Sequence, residues 1–456
     1  MNIRSIIMAG GEGKRMKSAM PKTLHRLCGR SILEWAIDSV RSADEHPIVV
    51  VGHGRDIVME AMKDAGLCFA VQAQQLGTGH AVMMAREYIG DADAVLVTCG
   101  DMPLIRPESV MRLVECVAEG GQDAALLFSV APDPTGYGRI VRDARGNIQA
   151  IVEHRDTSRE QRAIREINAS AYCFRRDALL AALDHLSNDN AQQEYYLTDV
   201  IAILAGQGGR IAGVQGDFEE GMGINDRAQL AQAAAVLRAR INRRHMFAGI
   251  TLIDPATTYI DWDVRIGADT VIHPNNTLES GTVIGSGCTL YPGSRFSRAT
   301  IGDRVEVQSS VVTDTTIGDD SHIGPFAYTR PGSRIGRDVK VGDFVEIKNS
   351  SIGDGTKISH LTYVGDADVG SSVNLGCGVV FVNYDGKRKH RSVVEDNAFI
   401  GCNTNLVAPV RVGANAYTAA GSTITEDVPG EALAIARARQ VNKEGWVARR
   451  NEKENP

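Results

Sequence analysis

The feature that most restricts this chain is a six-residue ladder of aliphatic side chains through its second half. Ile266, Ile272, Leu278, Ile284, Leu290 and Phe296 fall six apart. After a slip the period resumes at Ile317, Ile323, Thr329, Ile335, Val341 and Ile347. A second slip gives Ile352, Ile358 and Val364, then Val369, Leu375 and Phe381; the last set is Ile400, Leu406, Val412, Thr418 and Ile424. A six-residue period with one inward aliphatic predicts a parallel β-helix. Each coil hides its aliphatics against its neighbours, so large aromatics are hardly needed, which fits an aromatic content of 5%. Of the 24 glycines beyond Asp226, 13 directly follow Ile, Leu or Val, against 3 of the 23 before it. The later glycines therefore mark coil geometry.

The first 226 residues obey a different rule. Apolar runs at 3–9, 47–52, 68–72 and 94–98 read as buried strands, and 31–40, 55–65, 80–88 and 108–118 read as helices. Such alternation predicts an α/β domain, Rossmann-like, with a mostly parallel sheet and helices on both faces. Ligands in such folds bind at the carboxyl ends of strands. Between the two halves, Leu230, Val236, Leu237 and Ile241 recur at roughly helical spacing in an alanine-rich stretch. It ends in Arg238, Arg240, Arg243 and Arg244, where the helix macrodipole favours cations. The chain thus divides into 1–226, a linker helix at 227–247 with a solvated basic end, and 248–456.

Composition narrows the function classes. Charged residues at 23% and apolar ones at 43% are globular. A net charge of −7 argues against a nucleic-acid coat. No apolar run approaches the length of a membrane span, and the start does not read as a signal peptide. Eight cysteines stand singly with no C-x-x-C pair, the pattern of a reduced cytoplasmic protein without structural zinc. Residues 449–456 are charged and expected to be disordered.

The informative loops follow strands. Met8-Ala9-Gly10-Gly11-Glu12-Gly13-Lys14-Arg15-Met16, then Pro21-Lys22, comes after the first run. Its glycines let backbone N–H groups approach phosphates, and Arg15 and Lys22 supply charge. It is neither a Walker A loop nor a G-x-G-x-x-G turn, and a plain strand-to-helix turn would use the same residues. Gln72-Ala73-Gln74-Gln75-Leu76-Gly77-Thr78-Gly79-His80 offers amides and glycine backbone to a base or sugar. Gly100-Asp101-Met102-Pro103 puts a carboxylate at a strand end, suited either to Mg²⁺ beside a triphosphate or to a cap.

Together these segments resemble the sugar-1-phosphate nucleotidyltransferases, and more narrowly the bacterial bifunctional UDP-N-acetylglucosamine pyrophosphorylase/glucosamine-1-phosphate N-acetyltransferases. Pro134-Thr135-Gly136-Tyr137-Gly138-Arg139, Val152-Glu153-His154, Glu166-Ile167-Asn168, Glu194-Tyr195-Tyr196-Leu197-Thr198-Asp199 and Gly223-Ile224-Asn225 fit the same pattern, in order, from about residue 3 to 446. The resemblance implies that Ala9, Gly10 and Gly11 line the nucleotide site. It further implies that Lys22 and Arg15 hold the triphosphate, and that Gln72, Gly77 and Thr78 hold the uracil. Gly138, Glu153 and Asn168 would contact the sugar, and Asp101 and Asn225 would ligate Mg²⁺. It implies a left-handed β-helix, a homotrimer with sites between protomers, and a place in peptidoglycan and lipopolysaccharide synthesis.

A β-helix can be an inert spacer, so departures from the repeat are the observation to weigh. Arg330-Pro331-Gly332, Glu346-Ile347-Lys348, His360-Leu361-Thr362-Tyr363 and Asn374 put polar side chains on successive coils. The ladder is then interrupted by the basic run Asn383-Tyr384-Asp385-Gly386-Lys387-Arg388-Lys389-His390-Arg391, which on its own also suits a nucleic-acid patch. These features resemble the acetyltransferase half of the same family. By that resemblance His360 is the general base for the glucosamine amine, and Glu346 orients it or balances the imidazolium. Arg330, Lys348 and Lys389 bind the sugar phosphate, with Tyr363 and Asn374 on the sugar. Cys377, Asn383, Tyr384, Cys402, Ala420 and Arg437 meet acetyl-CoA. The family usually has a small residue in place of Cys377 and serine in place of Cys402; a thiol there could form a covalent acetyl-enzyme, but lone cysteines in β-coils usually pack, and packing is the expectation. The rival readings are a single-activity nucleotidyltransferase with a structural or regulatory β-helix, and a non-catalytic scaffold. His360, Lys348 and the Asn383-Tyr384 loop speak against the first, and Asp101, Asn225, Arg15 and Lys22 against the second.

Overall fold

Strands β1 (Ile3–Ala9), β2 (Ile48–Val51), β3 (Cys68–Val71) and β4 (Ala94–Cys99) form where the apolar runs predict them. They are continued by β5 (Ala124–Val130), the hairpin β6 (Arg139–Arg142) and β7 (Ile148–Val152), β8 (Glu166–Arg175) and β9 (Ile211–Gln215). The computed structural model describes residues 1–454 and shows the order β9-β5-β8-β4-β1-β2-β3. Neighbours are parallel except β8, which runs antiparallel to both β4 and β5. Alternate residues feed two cores. Ile6, Val50, Val95 and Val97 face one layer, and Ile7, Val49, Val51 and Leu96 the other. Each fully buried Val, Leu or Ile contributes about 1.5–3 kcal/mol, so a strand apolar on both faces has no reason to open to water.

Helix α1 (Ile32–Val40) starts at a capping box: Ser31 accepts from the Glu34 amide, and Glu34 from the Ser31 amide. The helix expected over 80–88 is instead two pieces, Thr78–Met84 and Arg86–Ile89, and the one expected over 55–65 ends at Ala61. Helix α2 (Arg227–Phe247) spans the point where contacts divide the chain into two compact units, between Arg240 and Ile241. Its buried stripe is Ala233, Leu237 and Ile241, while Leu230 and Val236 are only half-buried. Its basic end is not simply solvated. Arg240 donates to the Leu104 carbonyl at 2.7 Å, Arg244 to that of Trp262 at 2.8 Å, and Arg243 lies over the Phe247 ring.

The second unit is a three-sided parallel β-helix. Its sheets hold eleven, ten and nine strands, and start at Thr251–Leu252, Tyr259–Ile260 and Arg265–Ile266 respectively. Each strand pairs in parallel with its counterpart one coil on. Every rung of the predicted ladder is buried except Ile266, half-buried in the first coil. Across the first slip the inward positions continue as Ile301, Val307 and Val312, where some turns are one residue shorter. Glycine after the inward aliphatic follows from coil stacking: a Cβ on Gly342 would overlap the Ser359 carbonyl oxygen of the next coil. The disorder expected for 449–456 is not found over its first part, because Trp446–Glu454 is helical; residues 455 and 456 lie outside the described residues. No helix among the described residues is long and apolar enough to cross a membrane.

Candidate active sites

In the first unit, parallel pairing aligns the carboxyl ends of β1, β2 and β4: Ala9 pairs with Val51 and Met8 with Cys99. The loops leaving β1, β3 and β4 therefore surround one cavity of about 340 Å³. Ala9, Gly10, Gly11, Lys22, Gln72, Gly77, Thr78 and Asp101 line it, as the sequence predicts. Glu12, Gln75 and Glu194, which belong to the segments singled out in the sequence without an individual role, line it too. Arg15 does not. It is exposed on the turn Lys14–Met16, whose buried member is Met16.

Lys22 Nζ lies 2.5 Å from Asp101 Oδ2, with the lysine side chain only 11% exposed. The sequence reading gave these two groups separate duties; here each neutralises the other across the cavity. Lys14 is likewise paired, with Glu12 at 2.6 Å. Gln72 is buried and its Nε2 donates to the Gly77 carbonyl at 3.0 Å. That leaves Oε1 as an acceptor for an N–H of a base. Gly77 adopts φ 112°, and a Cβ there would collide with the Tyr195 backbone. The segment 194–199 is thus a brace: Gly79 N–H donates to the Tyr195 carbonyl at 2.7 Å, and Leu197 N–H to Thr78 Oγ1 at 3.0 Å.

Gly138, Glu153 and Asn168 come together without lining this cavity. Asn168 N–H donates to the Gly138 carbonyl at 2.9 Å, and a Cβ on Gly138 would lie 3.6 Å from Glu153 Oε1. Burial pushes the Glu153 carboxyl above its usual range, against a hydrogen bond from Thr198 Oγ1 at 3.2 Å. Asn225 is held next to Asp101: the preceding Ile224 N–H donates to the Asp101 carbonyl at 3.0 Å. The pair offers one carboxylate and one amide oxygen, both hard donors. Among the described residues no group of three His, Cys, Asp or Glu makes a metal cage. This donor set fits Mg²⁺, which keeps water and substrate phosphates as its remaining ligands.

In the second unit, His360 Nδ1 lies 2.5 Å from Asp343 Oδ1. The hydrogen bond fixes the ring proton on Nδ1 and leaves Nε2 free to accept one. It also holds the Asp343 carboxyl below the usual carboxylate range. The residues meet because Asp343 and His360 are paired one coil apart in the first sheet. Glu346, expected to orient His360, does something else. It belongs to the second sheet, stacks on Tyr363, and accepts from Arg330 Nη1 at 2.7 Å. Glu346 and His360 occupy different sheets, and the carboxylate hydrogen-bonded to His360 is that of Asp343.

Arg330 and Lys348 project from the second sheet, which also carries Tyr363. The basic excursion is a small hairpin, bridged between Tyr384 and Lys389. Asp385 accepts from the amides of Lys387 and Arg388 and from His390 Nε2, and the Arg388 amide leads in lowering its carboxyl pKa to about 2. That closure aims Lys389 at Lys348, whose ammonium pulls the Lys389 pKa below its ordinary value. Two like charges held together seek an anion. Asn383 is buried, donating to Asp366. Asn374 is not brought to this cluster; it sits on the first sheet, between Lys357 and Phe399. Cys377, Cys402 and Ala420 instead stack at the first-sheet corner, with Arg437 beside Gly421. Tyr384, Cys402, Ala420 and Arg437 are all exposed. Asp343 escaped the sequence reading, although its 17-residue separation from His360 is one coil length.

Comparison with known proteins bears on both units. The MobA-like NTP transferase domain family matches residues 5–196, and the bacterial transferase hexapeptide family (six repeats) matches 263–298, 314–349 and 391–426. The chain is 50% identical over 445 residues to the bifunctional protein GlmU of Clostridium botulinum (strain Langeland), covering 97% of each chain. It is 50% identical over 457 residues to that of Clostridioides difficile (strain 630), covering 100% of this chain and 99% of the relative.

Proposed function

The chain belongs to the GlmU family of bifunctional proteins, and we propose that its two units carry out consecutive steps of UDP-N-acetylglucosamine synthesis. The β-helix, left-handed in this family's fold, transfers the acetyl group of acetyl-CoA to glucosamine 1-phosphate. The α/β unit then transfers UMP from UTP to the N-acetylglucosamine 1-phosphate formed, releasing pyrophosphate. The product feeds cell-wall synthesis. The observation that carries the two-activity reading is the His360–Asp343 pair, with Lys348 on the coil of Asp343, Lys389 held beside Lys348, and Arg330 on the preceding coil. A β-helix that only assembled or regulated the enzyme would need none of these.

For acetyl transfer, the amine nitrogen attacks the thioester carbonyl and coenzyme A leaves as its thiol. His360 Nε2 takes the proton that the amine loses, while Asp343 holds Nδ1–H and stabilises the imidazolium. Lys348, Lys389 and Arg330 bind the sugar phosphate, and Tyr363 meets the sugar. Cys377, Asn383, Tyr384, Cys402, Ala420 and Arg437 receive acetyl-CoA. In a single chain Asn374 and the Cys402–Ala420 row lie on a different sheet from the lysine pair, which supports sites shared between protomers of a homotrimer.

For uridylyl transfer, a phosphate oxygen of the sugar attacks the α-phosphorus of UTP in line with the leaving pyrophosphate. Gly10 and Gly11 allow close approach of the triphosphate, Lys22 offsets its charge, Gln72 Oε1 accepts from uracil, and Gly138, Glu153 and Asn168 seat the sugar. Asp101 and Asn225 would hold Mg²⁺, whose charge when bound screens the phosphates and the developing pyrophosphate. Free thiols and these substrates are consistent with a cytoplasmic location.

The test is a paired assay on one preparation: thiol release from acetyl-CoA dependent on glucosamine 1-phosphate, and pyrophosphate release from UTP dependent on N-acetylglucosamine 1-phosphate. Both are expected; absence of the first would leave a single-activity nucleotidyltransferase. The register also separates two carboxylates. Asp343→Ala is expected to lower kcat for acetyl transfer about 10- to 100-fold with little change in KM, as for residues that orient a functional imidazole. Glu346→Gln, which frees Arg330, is expected to change KM for the sugar phosphate instead. The reverse assignment in steady-state kinetics would restore Glu346 as the orienting group.

A further inference from the structure

Next to His360 the same corner of the coils carries two thiols in register, and we propose that Cys377 and Cys402 form a dithiol site that reacts as a unit with low-molecular-weight disulfides. Leu375 pairs with Ile400 in the first sheet, which puts Cys377 opposite Cys402 two residues on. The Asn403 N–H confirms the register by donating to the Cys377 carbonyl at 2.7 Å. The turns are closely packed: a Cβ on Gly376 would lie 2.6 Å from the Cys402 amide nitrogen and 2.9 Å from its Cα. Neighbours in such a ladder stand about 4.8 Å apart, inside the ~4.4–6.8 Å Cα window of a disulfide. Both thiols are free, Cys377 half-buried and Cys402 exposed. The pair is invisible as a sequence motif because the hairpin after Val382 inserts extra residues between adjacent coils.

The placement matters because the column continues through the chemistry. Asp343 pairs with His360, and Ile358 with Leu375, so His360 stands opposite Cys377 on its other side. Cys402 is followed by Ala420, since Ile400 pairs with Thr418. The dithiol therefore lies between the proposed general base and Ala420, within the row proposed for acetyl-CoA. Exchange starts at the exposed thiol. The Cys402 thiolate attacks a sulfur of the small disulfide, forming a mixed disulfide and expelling one small thiolate. The Cys377 thiolate then attacks the Cys402 sulfur and expels the second. The protein loses two protons and two electrons, and the small disulfide is reduced to two thiols. Because Cys402 is exposed, the bond formed is a readily reduced one. The consequence for acetyl transfer rests on the acetyl-CoA placement proposed above.

The test uses the full-length protein, reduced, desalted and then treated with oxidised glutathione. Peptide mapping under alkylation, acetyl transfer and uridylyl transfer are followed before treatment, after it, and after dithiothreitol. The expected result is a Cys377–Cys402 linked peptide, a drop of at least tenfold in acetyl transfer that dithiothreitol reverses, and unchanged uridylyl transfer. Cys402→Ser, compared with its own reduced activity, should give no linked peptide and less than a twofold drop. Separate mixed disulfides without a linked peptide, or an equal loss in Cys402→Ser, would overturn the dithiol site. A linked peptide with acetyl transfer retained would support the dithiol and count against the acetyl-CoA placement, so the two readings fail separately.

Discussion

Asp101→Ala is expected to remove uridylyl transfer, by on the order of 10³-fold or more, and to leave acetyl transfer intact. Two losses combine. The carboxylate proposed to hold Mg²⁺ disappears, and Lys22, only 11% exposed, loses the partner that fixes its ammonium at the cavity wall. An unpaired ammonium so little exposed to water is costly, so Lys22 would move or bind anions without the geometry that favours in-line attack. Asp101→Asn keeps the shape and removes the charge, which separates misfolding of the loop from loss of electrostatics. Pyrophosphate release and thiol release, measured on the same preparation, decide the matter. Equal loss of both activities would sink the assignment of separate sites.

His360→Ala has the second large effect. A general base contributes typically ~10²–10⁴-fold, and the loss should fall on kcat for acetyl transfer. His360 is exposed, with 57% of its side chain accessible, so its removal leaves no cavity and the coils should keep their stability. The unchanged control is uridylyl transfer. Retention of near-normal kcat by His360→Ala would refute the role. Loss confined to KM would make His360 a binding group.

Much of this architecture was legible because burial imposes a period. Val341, Ile358 and Leu375 had to point inward, and their spacing announced coils before any contact was known. The ladder failed over Ile301, Val307 and Val312, where short turns break the count of six. In the first unit, Lys22, Gln72 and Asp101 were found because the loops after parallel strands must converge. Arg15, placed by its charge and by the resemblance, lies exposed on the turn that buries Met16 and is not among the residues lining the cavity. Asp343 and Glu346 show the harder limit. Both are carboxylates within a few residues of each other, and only coil register decides which faces His360 and which faces Arg330. The Cys377–Cys402 pair was hidden for the same reason, since a hairpin intervenes between coils that touch.

The most direct test of two independent sites is to mix the two crippled proteins. Asp101→Ala and His360→Ala, each alone, should convert glucosamine 1-phosphate, acetyl-CoA and UTP to little or no UDP-N-acetylglucosamine. Together they should make it, after a lag while N-acetylglucosamine 1-phosphate released by the first accumulates for the second. A mixture that forms no product, although each protein retains its remaining half-reaction, would contradict the account.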